Sequence, residues 1–324
     1  MTKEDLRIVF MGTPEFAVPS LEVLVNNNYN VVGVITSPDK KAGRGKKVRM
    51  SAIKIAAIEN NLNILQPTNL KDENFIAELK SLKANLQIVV AFRMLPEVVW
   101  LMPELGTFNL HASLLPQYRG AAPINYALIN GETKTGLTTF FLDKEIDTGK
   151  IIKQVEISIN IDDNVGILHD RMMGEGAKLV LNTTNSIVEG NIELLEQSEL
   201  SDNNEVLKTA NKLTKESCRI NWNDSSENIY NFVRGLSPYP AAFSTLQLSD
   251  GTEYNLKIYK VSIEDNSQPN LQPGYIQTDN KSFLKIITKT GSVNIIDLQL
   301  SGKKRMRISD FLRGFKSMEG SRLF

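Results

Sequence analysis

The sequence predicts an α/β protein in which a Rossmann-like, mostly parallel sheet is followed by a small OB-like β-barrel. Apolar strand segments alternate with amphipathic helical segments through the first half of the chain, which is the pattern of a sheet covered on both faces. A polar, acidic stretch interrupts this pattern at residues 190–207, and short alternating β-rich segments follow it. We therefore expect one domain over residues 1–189, a linker over 190–207 and a barrel domain over 208–324.

The first domain begins with a short apolar strand, RIVFM, that ends at Gly12. Residues 14–26 then space their apolar side chains as a helix does. Further strands are predicted at VVGVIT, NILQP, LQIVVAF, GTFNLHAS and TGLTTFF, and further helices near residues 51–60, 74–82 and 163–189. Strands that are separated by helices usually pair in parallel, so these elements predict the sheet.

The second half has one short helical stretch near residues 226–234 and is otherwise rich in strands. The predicted strands are FSTLQL, YNLKIYKVSI, GYIQT, FLKIIT and SVNIIDLQL, separated by Gly, Asp and Asn. Short strands at this spacing predict a small barrel, and OB-like barrels often bind nucleic acids.

Composition excludes several classes of protein. The 324 residues, 41% of them hydrophobic, are enough for two cores without disulfides or metals. The single cysteine, Cys218, excludes an internal disulfide and indicates a reducing compartment, and only two histidines are present. The N-terminus lacks the features of a signal peptide, and no stretch is apolar enough for a membrane helix. We expect a cytoplasmic protein without a metal or a membrane partner.

Charge is balanced overall and biased locally. The formal net charge is zero, but cations dominate residues 39–54 and the tail that begins at Ser301. Two such segments are consistent with a polyanion-binding surface. Charge alone supports equally well the alternative that both are solvated loops.

Nucleotide-binding motifs are incomplete. The first strand–helix turn, MGTPEF, lacks the second and third glycines of GxGxxG, and Pro14 has no backbone N–H to offer a pyrophosphate. The stretch GRGKK lacks the spacing and the Ser or Thr of a P-loop. A dinucleotide-dependent oxidoreductase is therefore disfavoured.

The stretch GTFNLHASLLPQYRGAAP carries the strongest indication of chemistry. Asn109 and His111 are two residues apart in a strand, so both side chains project from one face where the strand runs into a loop. An amide that donates to a developing oxyanion, beside an imidazole that moves a proton, suits acyl transfer. An isolated histidine is more often a buried structural one, but the loop position, Asn109 and the following Arg119-Gly120 favour function.

A second loop, LDKEIDTGK, offers three carboxylates, Asp143, Glu145 and Asp147. Any of them could orient the imidazole, but Asp147 is, from the sequence alone, better explained as an N-terminal or turn residue before Thr148-Gly149. The remaining candidates are better explained as structural. His169 falls within an amphipathic segment, and Trp222 and Tyr239 are expected to pack within the domains.

These motifs together resemble the methionyl-tRNA formyltransferase family over essentially the full chain. The resemblance covers RIVFMGTPEFAVPSLEVL, AGRGKKV, NLHASLLPQYRGAAPI, the DTG loop, INW…IYNFVRGLSPYPAA and the terminal GKKRM…DFLRG. The Asn-x-His and SLLPxYRG motifs are shared with the wider formyl-folate family. The basic GRGKK insertion and the C-terminal barrel with GKKRM are typical of the branch that acts on tRNA.

The resemblance implies a fold, a reaction and a set of site residues. It implies the formyltransferase fold, 10-formyltetrahydrofolate as co-substrate, and initiator methionyl-tRNA as the acceptor used in translation initiation; we expect a monomer. Asn109, His111 and Asp147 would be the catalytic residues. The folate site would include Ser113, Leu114, Leu115 and Pro116, with the backbone of Arg93, Met94 and Leu95. The tRNA would contact Arg44, Lys46, Lys47, Lys303, Lys304 and Arg305.

Three alternatives explain less of the sequence. Formyl transfer to a small amine such as glycinamide ribonucleotide, or formyl-folate hydrolysis, leaves the barrel and both basic segments without a role. A non-catalytic tRNA-binding protein gives no role to Asn109, His111 and Asp147. A dinucleotide-dependent oxidoreductase is disfavoured because this chain lacks the second and third glycines of the GxGxxG motif.

Overall fold

The structure is a computed structural model, and it describes residues 2–42, 47–200, 206–264, 272–315 and 317–324, without the side chains of residues 41, 42 and 47. The chain forms two compact units. The first consists of Met1–Gly120, Thr135–Ser158 and His169–Thr209, and the second of Ala121–Lys134, Ile159–Leu168 and Ala210–Phe324. No helix within the described ranges is both long enough and apolar enough to cross a membrane.

The strands up to residue 158 are β1 (Arg7–Gly12), β2 (Asn30–Ile35), β3 (Lys40–Ala42), β4 (Lys47–Arg49), β5 (Ile64–Leu65), β6 (Leu86–Val90), β7 (Thr107–His111), β8 (Arg119–Gly120), β9 (Lys134–Phe141) and β10 (Ile151–Ser158). The helices up to residue 189 are α1 (Val18–Asn26), α2 (Ala52–Glu59), α3 (Glu73–Ser81), α4 (Glu97–Trp100), α5 (Pro123–Ile129) and α6 (Val165–Glu189).

The main sheet of the first unit has the strand order β10-β9-β7-β6-β1-β2-β5. The pairs from β7 through β6, β1 and β2 to β5 are parallel, and β9 joins β7 in antiparallel fashion. The inner strand β6 is buried at every position, as expected of a parallel strand covered on both faces. Strand order reverses between β1 and β6, which places the topological switch point at their carboxyl ends.

Local sequence explains where several elements begin. Helix α2 begins after Ser51, whose side chain accepts a hydrogen bond from the Lys54 N–H. Helix α3 begins after Asp72, which caps the Phe75 N–H in the same way. These caps satisfy N–H groups that have no partner inside a helix.

The second unit contains an antiparallel sheet. Its strands and the preceding short strand are β11 (Thr209–Ala210), β12 (Ala242–Gln247), β13 (Glu253–Glu264), β14 (Ile276–Thr278), β15 (Leu284–Ile287), β16 (Ser292–Leu300), β17 (Met306–Arg307) and β18 (Arg322–Leu323), with helices α7 (Ser226–Leu236) and α8 (Ile308–Leu312). The strand order is β14-β15-β16-β13-β12-β18, and β17 pairs with β16. A bridge between Tyr275 and Arg322 joins the two ends of this sheet, so the barrel is nearly closed.

The predicted fold class is confirmed, with differences in single elements. The basic segment predicted as a loop contains the hairpin β3–β4, in which Lys40 pairs with Arg49. The helix predicted over 14–26 begins as a 3-10 turn at Glu15–Ala17. Strand β10 and helix α5 were not predicted, because IIKQVEIS has only a short alternating pattern and PINYALI is too short to show helical periodicity.

Candidate active site

Asn109 and His111 lie at the carboxyl end of β7, beside the carboxyl end of β6. The register pairs Val89 with Asn109 and Val90 with Leu110. Because β6 and β7 run in parallel, the loops that follow them leave the sheet at the same edge. Open α/β sheets bind their ligands at this edge, which is where the sequence placed the site.

The two ring nitrogens of His111 have different neighbours. The ring is buried, with 6% exposure, and its Nε2 donates a hydrogen bond to the Tyr118 carbonyl at 2.9 Å. A carbonyl can only accept, so Nε2 carries a proton. The other nitrogen, Nδ1, lies 3.8 Å from Oδ2 of Asp147. This separation is an ion-pair distance and is longer than a hydrogen bond.

Asp147 is the carboxylate that the structure brings to His111. Its backbone is left-handed, with φ of 58°, and its Oδ2 accepts a hydrogen bond from the Gly120 N–H at 2.9 Å. Asp143 instead accepts from the Lys144 N–H in its own loop. Asp147 therefore lies in the turn with a left-handed backbone and also faces the imidazole, so its position is compatible with both alternatives that the sequence left open.

Asn109 is half-buried and has unused hydrogen-bonding capacity. In the part of the chain that the structure describes, no hydrogen-bond partner occurs for its side-chain amide. An amide at the edge of the site without a protein partner fits a role as donor to a substrate oxygen.

The loop from Ser113 to Pro116 is held in place by the buried Thr138 and the half-buried Gln154. Thr138 Oγ1 donates to the Ser113 carbonyl at 2.7 Å and accepts from the Leu115 N–H at 3.2 Å. Gln154 Nε2 donates to the Leu115 carbonyl at 2.8 Å, and the Leu115 side chain packs in a small cluster with Phe140. Leu114 and Pro116 are presented by this same loop, which therefore has a fixed backbone beside His111.

The segment from Arg93 to Leu95 follows β6 at the same edge. The Arg93 guanidinium donates to the Thr68 carbonyl at 2.9 Å and also to the Pro67 carbonyl. Met94 is exposed, and Leu95 is buried in the core of the first unit. Arg93, though exposed, and the buried Leu95 therefore fix the loop, whereas the exposed Met94 makes no such contact among the described residues.

The basic segments differ in how much of them is described. Arg44 and Lys46 lie outside the described residues, and so does the side chain of Lys47. At the base of the hairpin, Asp39 pairs with Lys54 at 2.6 Å and accepts from Gln66 at 3.0 Å. The hydrogen bond from Gln66 and that from Lys54 hold the pKa of the Asp39 carboxyl below its usual value, so this anchor is charged at neutral pH.

On the barrel, Lys303 and Lys304 are exposed, whereas Arg305 is engaged. Its guanidinium pairs with Asp297 at 2.8 Å and lies over the Tyr259 ring at 4.6 Å. The three cations predicted as a group therefore differ, and only the two lysines project without such partners among the described residues.

The structure also tests the residues explained as structural. His169 lies in α6, where its ring contacts Phe16 and its Nδ1 bonds Asp170. Trp222 is buried with its Nε1 donating to Ser244 at 2.9 Å. The expectation that Tyr239 packs in a core is wrong, because its side chain is 80% exposed. Within the described ranges, no group of three or more His, Cys, Asp or Glu side chains is arranged to hold a metal.

Sequence reasoning missed the residues that support the site. Gln197 is buried beside the Asp147 loop and bonds Arg119, and Thr138 and Gln154 hold the Ser113–Pro116 loop. Gln197 falls within a stretch that composition marks as linker, so nothing local distinguishes it. Only the three-dimensional contacts reveal it.

Comparison with known proteins identifies similar families and relatives. The family model Formyl transferase matches residues 6–184, and the model Formyl transferase, C-terminal domain matches residues 212–316. A protein of Bacteroides fragilis named methionyl-tRNA formyltransferase is 55% identical, over 100% of this chain and 99% of its own. One of Flavobacterium johnsoniae with the same name is 54% identical, over 99% of this chain and 100% of its own.

Solved structures share the fold at lower identity. A sugar 3N-formyl transferase, crystallised in the presence of dTDP and 5-N-formyl-THF, is 20% identical with a TM-score of 0.62, over 92% of this chain and 99% of its own. The N-formyltransferase from Helicobacter canadensis, in complex with folinic acid and dTDP-3-aminofucose, is 20% identical with a TM-score of 0.63, over 93% of this chain and 100% of its own. At this identity the likeness concerns the fold alone.

Proposed function

Because this chain belongs to the formyl transferase family, we propose that it transfers the formyl group of 10-formyltetrahydrofolate to the α-amino group of methionine on initiator methionyl-tRNA. The observation that carries the proposal is the grouping of Asn109, His111 and Asp147 at the carboxyl edge of the sheet. Full-length similarity to proteins named methionyl-tRNA formyltransferase supports the acceptor.

The reaction forms one C–N bond and breaks another. The amine nitrogen of the methionyl ester attacks the formyl carbon, the bond from that carbon to N10 of the folate breaks, and an amide results. One proton leaves the attacking nitrogen and one arrives at N10. The protein must therefore stabilise a transient oxyanion and transfer a proton.

Asn109 and His111 divide these tasks. The Asn109 amide lacks a partner among the described residues and is suited to donate to the oxyanion. His111 already donates from Nε2 to Tyr118, so we assign the proton transfer to Nδ1. The Asp147 carboxylate, 3.8 Å from Nδ1, stabilises the imidazolium that forms.

The donor and the acceptor have separate proposed contacts. The folate would lie against the backbone of the loop Ser113, Leu114, Leu115 and Pro116 and of residues Arg93 to Leu95, which leave the same sheet edge as His111. Arg44, Lys46 and Lys47 would contact the acceptor stem, while Lys303 and Lys304 would contact phosphates. We further propose a cytoplasmic monomer that uses no metal, since none of these steps needs one.

The first experiment compares acceptors. Purified protein is mixed with 10-formyltetrahydrofolate and with either charged initiator tRNA or glycinamide ribonucleotide, and formylation is followed over time. Rapid reaction with the tRNA alone is expected. Reaction with the small amine instead would retain the folate chemistry and contradict the assigned roles of the basic segments.

A second experiment tests the catalytic assignment. His111→Ala should abolish most turnover, and near-normal turnover by this variant would contradict the catalytic assignment.

A further inference from the structure

The strongest unassigned feature near the site is a buried glutamine. Gln197 is only 3% exposed and lies in a 3-10 turn, Gln197–Glu199, within the acidic stretch that follows α6. A buried amide is costly unless its donors and acceptors are paired. Its partners therefore reveal what it holds.

Gln197 uses its full hydrogen-bonding capacity on two loops of the site. Its Nε2 donates to the carbonyls of Asp147 and Gly149, both at 2.9 Å. Its Oε1 accepts from Nε and Nη2 of Arg119, at 3.0 and 2.6 Å. An amide has two N–H donors and two acceptor lone pairs, and here each of them has a partner. If the amide were flipped, its oxygen would face the carbonyl oxygens of Asp147 and Gly149.

These bonds close a ring around the Asp147 carboxylate. Gln197 holds the backbone of Asp147 and the side chain of Arg119, and the next residue, Gly120, donates its N–H to Asp147 Oδ2. Asp147 has a left-handed backbone, a conformation that costs on the order of 1 kcal/mol or more for a residue with a Cβ. The hydrogen bonds from Gln197 and Gly120 supply the contacts that stabilise this backbone conformation of Asp147.

We propose that Gln197 is a positioning residue, which acts through Asp147 to keep the carboxylate facing Nδ1 of His111. This role rests on the proposed formyl transfer. The segment that carries Gln197 is attached to the fold without its help. Leu195 exchanges two backbone hydrogen bonds with Ile151, at 2.9 and 3.0 Å, and its side chain packs in the cluster of Leu115 and Phe140. Loss of Gln197 should therefore release the Asp147 loop and leave the segment in place.

Two substitutions separate positioning from other roles. Gln197→Ala removes all the bonds, and we expect the single-turnover rate at saturating substrates to fall about tenfold to a hundredfold, with little change in KM. Gln197→Glu keeps an acceptor for Arg119 and loses both donors to the loop, so it should be slow as well. If Gln197→Glu retained the wild-type rate, the Gln197 side chain would matter only as the hydrogen-bond acceptor of Arg119, and the proposal would be overturned.

A double-mutant cycle tests whether Gln197 acts through Asp147. In an Asp147→Asn background, Gln197→Ala should cost less than about twofold further, since the carboxylate it positions is absent. If the rate losses of the two single variants instead multiplied in the double variant, Gln197 would act independently of Asp147 and the proposal would be overturned. Glu199→Ala, on the exposed side of the same turn, is the matched control and should leave the rate unchanged.

The wild-type enzyme distinguishes failure of the two proposals. Absence of formyl transfer by the wild-type protein would contradict the proposed function. Normal transfer by the wild type with undiminished rates in both Gln197 variants would contradict only the positioning role. Thermal unfolding of each variant checks folding, and Gln197→Glu, which preserves the side-chain volume, remains informative if Gln197→Ala unfolds.

Discussion

At the scale of single residues, hydrogen-bond partners distinguish the three side chains proposed to be catalytic. His111 is committed at Nε2 to Tyr118, and Asp147 faces Nδ1. Left-handed non-glycine residues also cluster here, at Ala91 after β6 and at Tyr118 and Asp147. Such conformations persist where surrounding contacts determine them, and they are enriched at functional sites. Among these three residues, Asn109 is the one whose side-chain amide has no hydrogen-bond partner in the described part of the chain, which suits the oxyanion donor proposed for it.

Asn109→Ala should slow the chemical step without changing the fold. Loss of one oxyanion donor typically lowers the rate by about a hundredfold or more, and KM for both substrates should change little because the donor acts mainly in the transition state. Single-turnover formylation and urea unfolding measure the two effects.

The matched control is Asn85→Ala, because Asn85 directly precedes β6 in the first unit and both the oxygen and the nitrogen of its amide are hydrogen-bonded. Its Oδ1 accepts from the Arg7 N–H at 2.7 Å and its Nδ2 donates to the Asp5 carbonyl at 2.8 Å. This variant should lose stability and keep its rate. The reverse pattern for the two asparagines would overturn the assignment of Asn109.

At the scale of elements, the loop from Leu142 to Lys150 depends on a glycine. A Cβ at Gly149 would lie 1.8 Å from the Phe141 carbonyl oxygen and 2.9 Å from its carbon, distances that backbone atoms cannot accommodate. Gly149→Ala should therefore shift the loop that carries Asp147, lowering the rate at least about tenfold and stability by about 1–3 kcal/mol.

Gly174→Ala provides the contrast, since this glycine is exposed within α6 and a Cβ there meets nothing within 4 Å. That variant should keep full activity and gain about 0.5–1 kcal/mol, as alanine favours the helix. Kinetics and urea unfolding on both variants make the comparison. Equal activity of the two would show that the Gly149 loop tolerates displacement.

The anchor of the β3–β4 hairpin should affect the acceptor and not the chemistry. Asp39→Ala removes the partner of Lys54 and Gln66, and we expect kcat/KM for tRNA to fall up to about fivefold. The effect should be present at neutral pH, because the lowered pKa of Asp39 keeps it ionised, and the ion pair weakens only as the pH falls through that pKa.

The rate with a small methionine ester should remain unchanged in Asp39→Ala. Glu175→Ala, which breaks an exposed ion pair of α6 with Lys178, is the control for nonspecific loss of a salt bridge. An equal loss with both acceptors would assign Asp39 to general stability and remove the hairpin from acceptor recognition.

These elements also show which parts of the fold and of the candidate site could be predicted from the sequence. Buried strands such as β6 were predictable because parallel strands read as continuous apolar runs, and Asn109 and His111 were predictable from strand periodicity at a loop. Residue type and spacing alone did not distinguish Asp147 from Asp143 or Glu145. The family resemblance singled out Asp147, and the backbone path of the loop places its carboxylate 3.8 Å from His111. Gln197 was not predictable, because its proposed role depends on contacts with residues far apart in the chain, and an isolated glutamine in a polar stretch carries no pattern.

At the scale of the whole molecule, zero net charge conceals cations that cluster in two segments. A tRNA is a polyanion, and each phosphate contact releases counterions and steepens the dependence of binding on salt. In the barrel unit, Arg305 is held by Asp297 and Tyr259. The exposed side chains of Lys303 and Lys304 are therefore the better candidates for phosphate contacts.

The double variant Lys303→Ala/Lys304→Ala should raise KM for tRNA with an unchanged single-turnover rate at saturation. The slope of log affinity against log salt should become shallower by about 1–2, since each lysine accounts for roughly one phosphate contact. Lys80→Ala/Lys83→Ala, at the end of α3 and just beyond it, changes the net charge equally and should leave the slope unaltered. If both pairs changed the slope alike, overall charge would attract the tRNA and the barrel lysines would have no specific role. If neither did, the phosphate contacts would have to lie on other residues.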